Sequence, residues 1–124
     1  MAPRRLRIML VDDDARLRHL VRDALQDDGY DIVAEAGSAE EALPLVAAAD
    51  PDVIVVDYVM GGMDGLEMAE TVCASRPGQP VVLFSSLFDR ELWGRARRLG
   101  IRYIEKAEGL DALEELIDSV VGSR

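Results

Sequence analysis

One cysteine, one histidine, one tryptophan and two phenylalanines are all that 124 residues hold of those types. Cys73 has no partner for an internal disulfide, which agrees with a reducing compartment, and its apolar neighbours favour a buried, inert thiol. Long apolar runs are missing as well. No stretch approaches the roughly 18 residues needed to cross a bilayer, and the N-terminus lacks the apolar core of a signal peptide. These absences predict a cytoplasmic chain that does not enter a membrane. Basic residues are outnumbered, 14 against 24 acidic, and the net charge of −10 repels polyanions, which speaks against direct nucleic-acid or anionic-lipid binding by this chain. Arg90, Arg95, Arg97, Arg98 and Arg102 form a local basic cluster that reads as a solvated helix face. There is no repeat, linker or low-complexity tract.

What is present is an ordinary globular composition, 49% hydrophobic and 31% charged, at a length that suits one domain over residues 1–124. Leu6 to Val11 is a short apolar run, followed at helical spacing by Leu17, Leu20, Val21, Ala24 and Leu25. Tyr30 to Ala36 predicts a second strand. Ser38 and Glu41 have capping-box spacing for a helix carrying Ala42, Leu43, Val46 and Ala47, which Pro44 should kink or delay. Val53 to Val56 has the continuous apolar character of a strand buried on both faces. Asp64, with Glu67 three residues on, begins a helix lined by Leu66, Ala69, Val72 and Cys73. Val81 to Phe84 repeats the buried-strand pattern, and Asp89 caps a helix bearing Leu92, Ala96 and Leu99. A short strand around Tyr103-Ile104 and a helix with Leu113, Leu116, Ile117, Val120 and Val121 follow. Five strands alternating with five helices predict an α/β domain, a five-stranded parallel sheet covered on both faces, with ligands beyond the carboxyl ends of the strands.

At those carboxyl ends stand Asp12 and Asp13 after the first strand, Asp57 after the third, Ser85 after the fourth and Lys106 after the fifth. Each alone is ordinary: a charge run or helix cap, a turn residue, a turn hydroxyl, a surface cation. Together they converge on one crevice. Two carboxylates ~5 Å apart at an effective dielectric of ~20 repel by about 3 kcal/mol, so positive charge belongs there. A hard divalent cation such as Mg2+ suits such oxygen donors, while Lys106 and Ser85 can meet phosphoryl oxygens. That equipment fits phosphoryl transfer to a carboxylate.

The Leu10-Val11-Asp12-Asp13 and Val55-Val56-Asp57 strand ends, Met60-Gly61-Gly62-Met63-Asp64-Gly65, Leu83-Phe84-Ser85-Ser86 and Tyr103-Ile104-Glu105-Lys106 together resemble the receiver domains of bacterial two-component systems, including the single-domain chemotaxis regulators. The resemblance spans essentially the whole chain. It implies a flavodoxin-like, doubly wound (βα)5 fold with strand order 2-1-3-4-5. It implies Asp57 as phosphoacceptor, and Mg2+ (or Mn2+) held by Asp12, Asp13, Asp57 and the backbone carbonyl of Val59. Ser85 and Lys106 would ligate the phosphoryl group, and Ser85 and Tyr103 would form the switch. The donor would be a histidine kinase or histidine phosphotransfer protein. The target would be a downstream protein or an output domain outside this sequence, and the ending Val121-Gly122-Ser123-Arg124 suits a stand-alone regulator and a piece of a longer one equally. Beyond accepting the phosphoryl group and autodephosphorylating, no enzyme activity is implied.

Two departures from the family pattern stand out: Gly61 and Ala107 occupy positions where proline is usual, which predicts mobile loops there. The output face would comprise the fourth helix, fifth strand and fifth helix with Trp93 and the arginines, whose pairing with Asp111, Glu114, Glu115 and Asp118 would support a homodimer. Val59 and Leu87, apolar beside the site, predict slow hydrolysis of the phosphorylated form. His19 reads as a surface residue of the first helix. Other classes fit less well: an aspartate-nucleophile phosphatase usually carries a second aspartate where Val59 stands, and a dinucleotide enzyme would not place Asp13-Asp14-Ala15-Arg16 against a pyrophosphate. A phosphorylation-independent, receiver-like interaction module is the remaining alternative.

Overall fold

The apolar runs become strands whose ends differ by a residue or two from the sequence expectation. In the computed structural model, which describes residues 5–87 and 89–122, these are β1 (Arg7–Val11), β2 (Asp31–Ala36), β3 (Val53–Val56), β4 (Val81–Ser85) and β5 (Arg102–Glu105). All pair in parallel, in the order β2-β1-β3-β4-β5. β3 and β4 are buried at every position, which explains their uninterrupted apolar sequences. Ser123 and Arg124, part of the expected chain ending, lie outside the described residues.

The crossovers carry α1 (Ala15–Asp27), α2 (39–49), α3 (Gly65–Ser75), α4 (Arg90–Arg98) and α5 (Leu110–Gly122). Asp14, Asp64 and Asp89 cap α1, α3 and α4 by accepting backbone N–H bonds, and Asp64 and Glu67 form a reciprocal capping box. Pro44 has the effect its chemistry requires: α2 breaks into two single α-turns, Ala39–Ala42 and Val46–Ala49, joined by a 3-10 turn over Leu43–Leu45. Glu41 departs from a strict box. Its backbone N–H bonds the Ser38 hydroxyl, but its carboxylate accepts from Gly37 N–H.

The sheet separates two apolar clusters. Met9, Val11, Ile54, Val56 and Leu83 pack against α2, α3 and α4 through residues such as Ala42, Leu66, Val72 and Leu92. Ile8, Leu10, Val55, Phe84 and Ile104 pack against α1 and α5 through Val21, Leu25, Leu113 and Ile117. Two leucines placed on buried faces by their spacing are instead exposed, Leu20 at 65% and Leu99 at 48%. Leu20 lies one position off the Leu17–Val21–Leu25 stripe, and Leu99 falls at the C-cap, where the helix ends. No helix among the described residues is long and apolar enough to cross a membrane.

Candidate functional site

Parallel pairing brings the carboxyl ends of β1, β3, β4 and β5 to one side of the sheet. The Asp57 N–H bonds the Val11 carbonyl and the Asp12 N–H bonds Ala36, so both acids leave their strands in fixed register. Their carboxylates are nearly buried, each residue being 8% exposed. Asp13 is exposed beside them, and one carboxylate oxygen from each of the three can be chosen so that all lie within 4.8 Å of one another. Asp14, the third acid of the run, caps α1 instead.

Lys106, which opens a 3-10 turn after β5, reaches into this group. Its Nζ lies 2.8 Å from Asp12 Oδ2 and 3.1 Å from Asp57 Oδ2. Burial alone would lower the ammonium pKa, but the bonds to Asp12 and Asp57 and their charges outweigh it, and the net direction is upward. The remaining Asp57 oxygen, Oδ1, accepts from Val59 N–H at 3.3 Å, and Asp12 Oδ1 accepts from Asp14 N–H at 2.9 Å. Ser85 is fully buried at the end of β4, and its Oγ accepts from Leu87 N–H at 3.3 Å. Its own hydrogen remains available to donate. Hard oxygen donors in this arrangement suit a divalent cation such as Mg2+, and the crossing of metal, hydroxyl and ammonium chemistry suits an anionic tetrahedral group.

Tyr103 sits in β5 beside Leu83, half-buried against the α2–α3–α4 cluster. Its hydroxyl is buried with no hydrogen-bond partner among the described residues. Burial, followed by the charges of Glu105, Asp57 and Asp89, raises its pKa. Val59 and Leu87, two residues beyond Asp57 and Ser85, are exposed at 56% and 38%. His19 is exposed on α1. Cys73 is half-buried, with burial raising its thiol pKa.

Three contributions could not be read from the sequence. Arg18 Nη1 donates to the Asp12 carbonyl at 2.6 Å while its Nε pairs with Glu35, which braces the turn carrying Asp12 and Asp13. Gly65 packs so tightly that an added Cβ would overlap the Asp57 carbonyl oxygen. Glu40 accepts a bond from Met63 N–H, across from α2. The loops expected to be mobile are tied in this structure, the first by Glu40 and the Asp64–Glu67 box, the second by the reciprocal Glu105–Glu108 bonds. The acids expected to face the arginines divide: Asp118 accepts from Tyr30 Oη at 2.8 Å and Glu114 turns to Asp28. Of that set, Glu115 lines the surface beside Tyr103.

A doubly wound parallel α/β domain with a lysine-bridged acidic crevice at its carboxyl edge is the class these features define. A model of the response regulator receiver domain matches residues 8–118, and the chain belongs to that family. It is 31% identical over 116 residues to the transcriptional regulatory protein PdtaR of Mycobacterium tuberculosis, covering 93% of this chain and 56% of that protein. The chain thus spans about half the length of that relative. It is 30% identical over 118 residues to chemotaxis protein CheY-3 of Vibrio cholerae, covering 93% of this chain and 91% of that one. The signal receiver domain of the putative response regulator NarL from Mycobacterium tuberculosis superposes with a TM-score of 0.89 at 27% identity, covering 98% of this chain and all of that one.

Proposed function

We propose that this domain is a phosphorylation-driven switch in which Asp57 accepts a phosphoryl group from the phosphohistidine of a histidine kinase or phosphotransfer protein. The observation that carries this reading is the bridge from Lys106 to both Asp12 and Asp57 inside a cluster of three carboxylates. An Asp57 carboxylate oxygen bonds to phosphorus as the phosphorus–nitrogen bond breaks, and the leaving imidazole keeps the electron pair. Asp12, Asp13, Asp57 and the Val59 carbonyl would hold Mg2+, with Mn2+ able to substitute, and the bound ion would supply charge neutralisation at the phosphoryl oxygens. Lys106 pairs with one of those oxygens and the Ser85 hydroxyl donates to another.

The switch works only through differential interaction. A charge-assisted bond from Ser85 contributes about 1.5–3 kcal/mol, a shift of roughly tenfold or more, and Lys106 adds to it. Tyr103 is suited to follow, because a buried hydroxyl without a partner costs ~1–3 kcal/mol, so another ring position is readily competitive. The readout surface is α4, β5 and α5, where Arg97 stacks 5.2 Å from the Trp93 ring. Its partner is a downstream protein, an output domain joined to this one or a second copy of the chain. In the last case Arg97→Glu weakens phosphorylation-dependent dimerisation in sedimentation, and an unchanged association constant refutes the homodimer. Apolar Val59 and Leu87 favour a long-lived phosphorylated state, an idea that fails if Val59→Asn leaves the hydrolysis rate unchanged.

Intact mass after incubation with Mg2+ and acetyl phosphate tests the core of the reading. A labile gain of one phosphoryl group that needs Mg2+ and vanishes in Asp57→Ala is expected. No gain in the native chain overturns it and leaves a phosphorylation-independent interaction module.

A further inference from the structure

The segment from Val59 to Asp64 joins the Asp57 site to α3, and it has glycine at both 61 and 62. Flexible backbone is a poor support for a carbonyl that must meet a cation at a fixed distance. Two of its fastenings are local: Val59 N–H bonds Asp57 Oδ1, and Gly65 N–H bonds the Tyr58 carbonyl at 3.0 Å. A third comes from a different crossover. Glu40, exposed in the first turn of α2, accepts a 3.0 Å bond from Met63 N–H. The same carboxylate lies against Gly62, whose φ is +82°, so closely that a Cβ there would stand 2.8 Å from Glu40 Oε2. The bond from Met63, followed by one from Glu40's own backbone, holds the Glu40 carboxyl below its ordinary range.

We propose that Glu40 is a positioning residue for the Asp57 site. By holding Gly62 and Met63 it keeps the loop in the conformation in which Val59 N–H meets Asp57 and from which Val59 offers its carbonyl to the cation. The tether stiffens a stretch that has glycine where proline would have stiffened it covalently. Glu40 touches neither cation nor phosphoryl group. This inference rests on the cation-assisted reading of the site.

Two variants test it. Glu40→Ala removes the acceptor, whereas Glu40→Gln keeps a carbonyl oxygen that Met63 N–H can reach. In the metal-free protein, hydrogen exchange at the Met63 amide should rise about tenfold in Glu40→Ala and stay near wild type in Glu40→Gln. By calorimetry, Mg2+ should bind Glu40→Ala roughly three- to tenfold more weakly, the range an exposed charge-assisted hydrogen bond supports, with Glu40→Gln close to wild type. Acetyl phosphate labelling should show the same split: a higher half-saturating Mg2+ concentration with an unchanged rate at saturation. Faster Met63 exchange with unaltered Mg2+ affinity would overturn the positioning role, and unaltered exchange would overturn the tether itself. A wild-type chain that binds no Mg2+ would instead refute the cation reading, and this inference with it.

Discussion

The two ends of the sheet handle acidic residues differently. At the amino ends, Arg76 Nη2 lies 2.7 Å from Asp50 Oδ1, the Arg7 N–H bonds Asp52 Oδ2 at 2.8 Å, and the Gln79 amide bonds the Pro51 carbonyl. A second acidic group at that end, Asp28, Glu114 and Asp118, uses a proton and a hydroxyl. Burial first, then the Asp28 hydrogen bond and the charges of Asp28, Asp111 and Asp118, push the Glu114 pKa up to about 7, while Tyr30 donates to Asp118. At the carboxyl ends, three carboxylates cluster around one ammonium that bonds two of them, Asp12 and Asp57. Acids at the amino ends find arginines, backbone or protons; those of the crevice keep an excess of negative charge, the arrangement the proposed function calls for.

That contrast can be broken by experiment. The largest effect should come from Lys106→Ala, which should slow acetyl phosphate labelling about a hundredfold, the scale of losing one preorganised donor to a transition-state oxyanion; a decline of less than tenfold would show that the crevice does not depend on its one ammonium. Next comes Gly65→Ala. Its methyl must displace the Asp57 backbone, at a cost of about 1–3 kcal/mol in urea unfolding, accompanied by weaker labelling.

Glu114→Gln should act through pH. A carboxyl whose folded pKa lies above its ordinary 4.5 holds a proton that the unfolded chain releases, so wild-type stability falls as pH rises from about 4.5 to about 7. Glutamine removes that slope. Discounted for solvent screening, the variant should gain about 1 kcal/mol over wild type by pH 8, and parallel stability curves from pH 4 to 8 would refute the shared proton. The smallest effect belongs to Arg76→Ala: its ion pair to the exposed Asp50 should be worth less than about 1 kcal/mol, with labelling untouched. Impaired labelling in this variant would mean that the two ends of the sheet are coupled.

The strands and the five polar residues at their ends were legible because a buried parallel strand writes an unbroken apolar run that ends at the sheet's carboxyl edge; the strand order was implied by the family resemblance, since apolar runs do not say which strands are neighbours. Asp12 and Asp13 were singled out by their place at the strand end, but the capping role of Asp14 was not, since all three have the same side chain and only backbone geometry separates them. Pro44 announced a disturbance but not its form as a 3-10 turn. Glu40 and Met63 are 23 residues apart and joined by a side chain to a backbone amide, a contact that leaves no periodic trace. Arg18 and Gly65 act by reach and by close approach, which depend on distances between elements. The turn of Glu114 toward Asp28 was not legible, because sequence gives the spacing of acids along α5 but not the direction in which each one faces.

Lys106 is also the only lysine in the sequence. Apart from the chain's terminal amine, an acylating reagent or acyltransferase therefore finds one amine to acylate stably, and it is the one bridging Asp12 and Asp57. Its protonation and partial burial should make it a slow target. Once acylated it would lose its charge, leaving two carboxylates face to face. Quantifying a single acyl mark thus measures how open the crevice is, and acylation at the rate of a free lysine side chain would show that the bridge does not persist in solution.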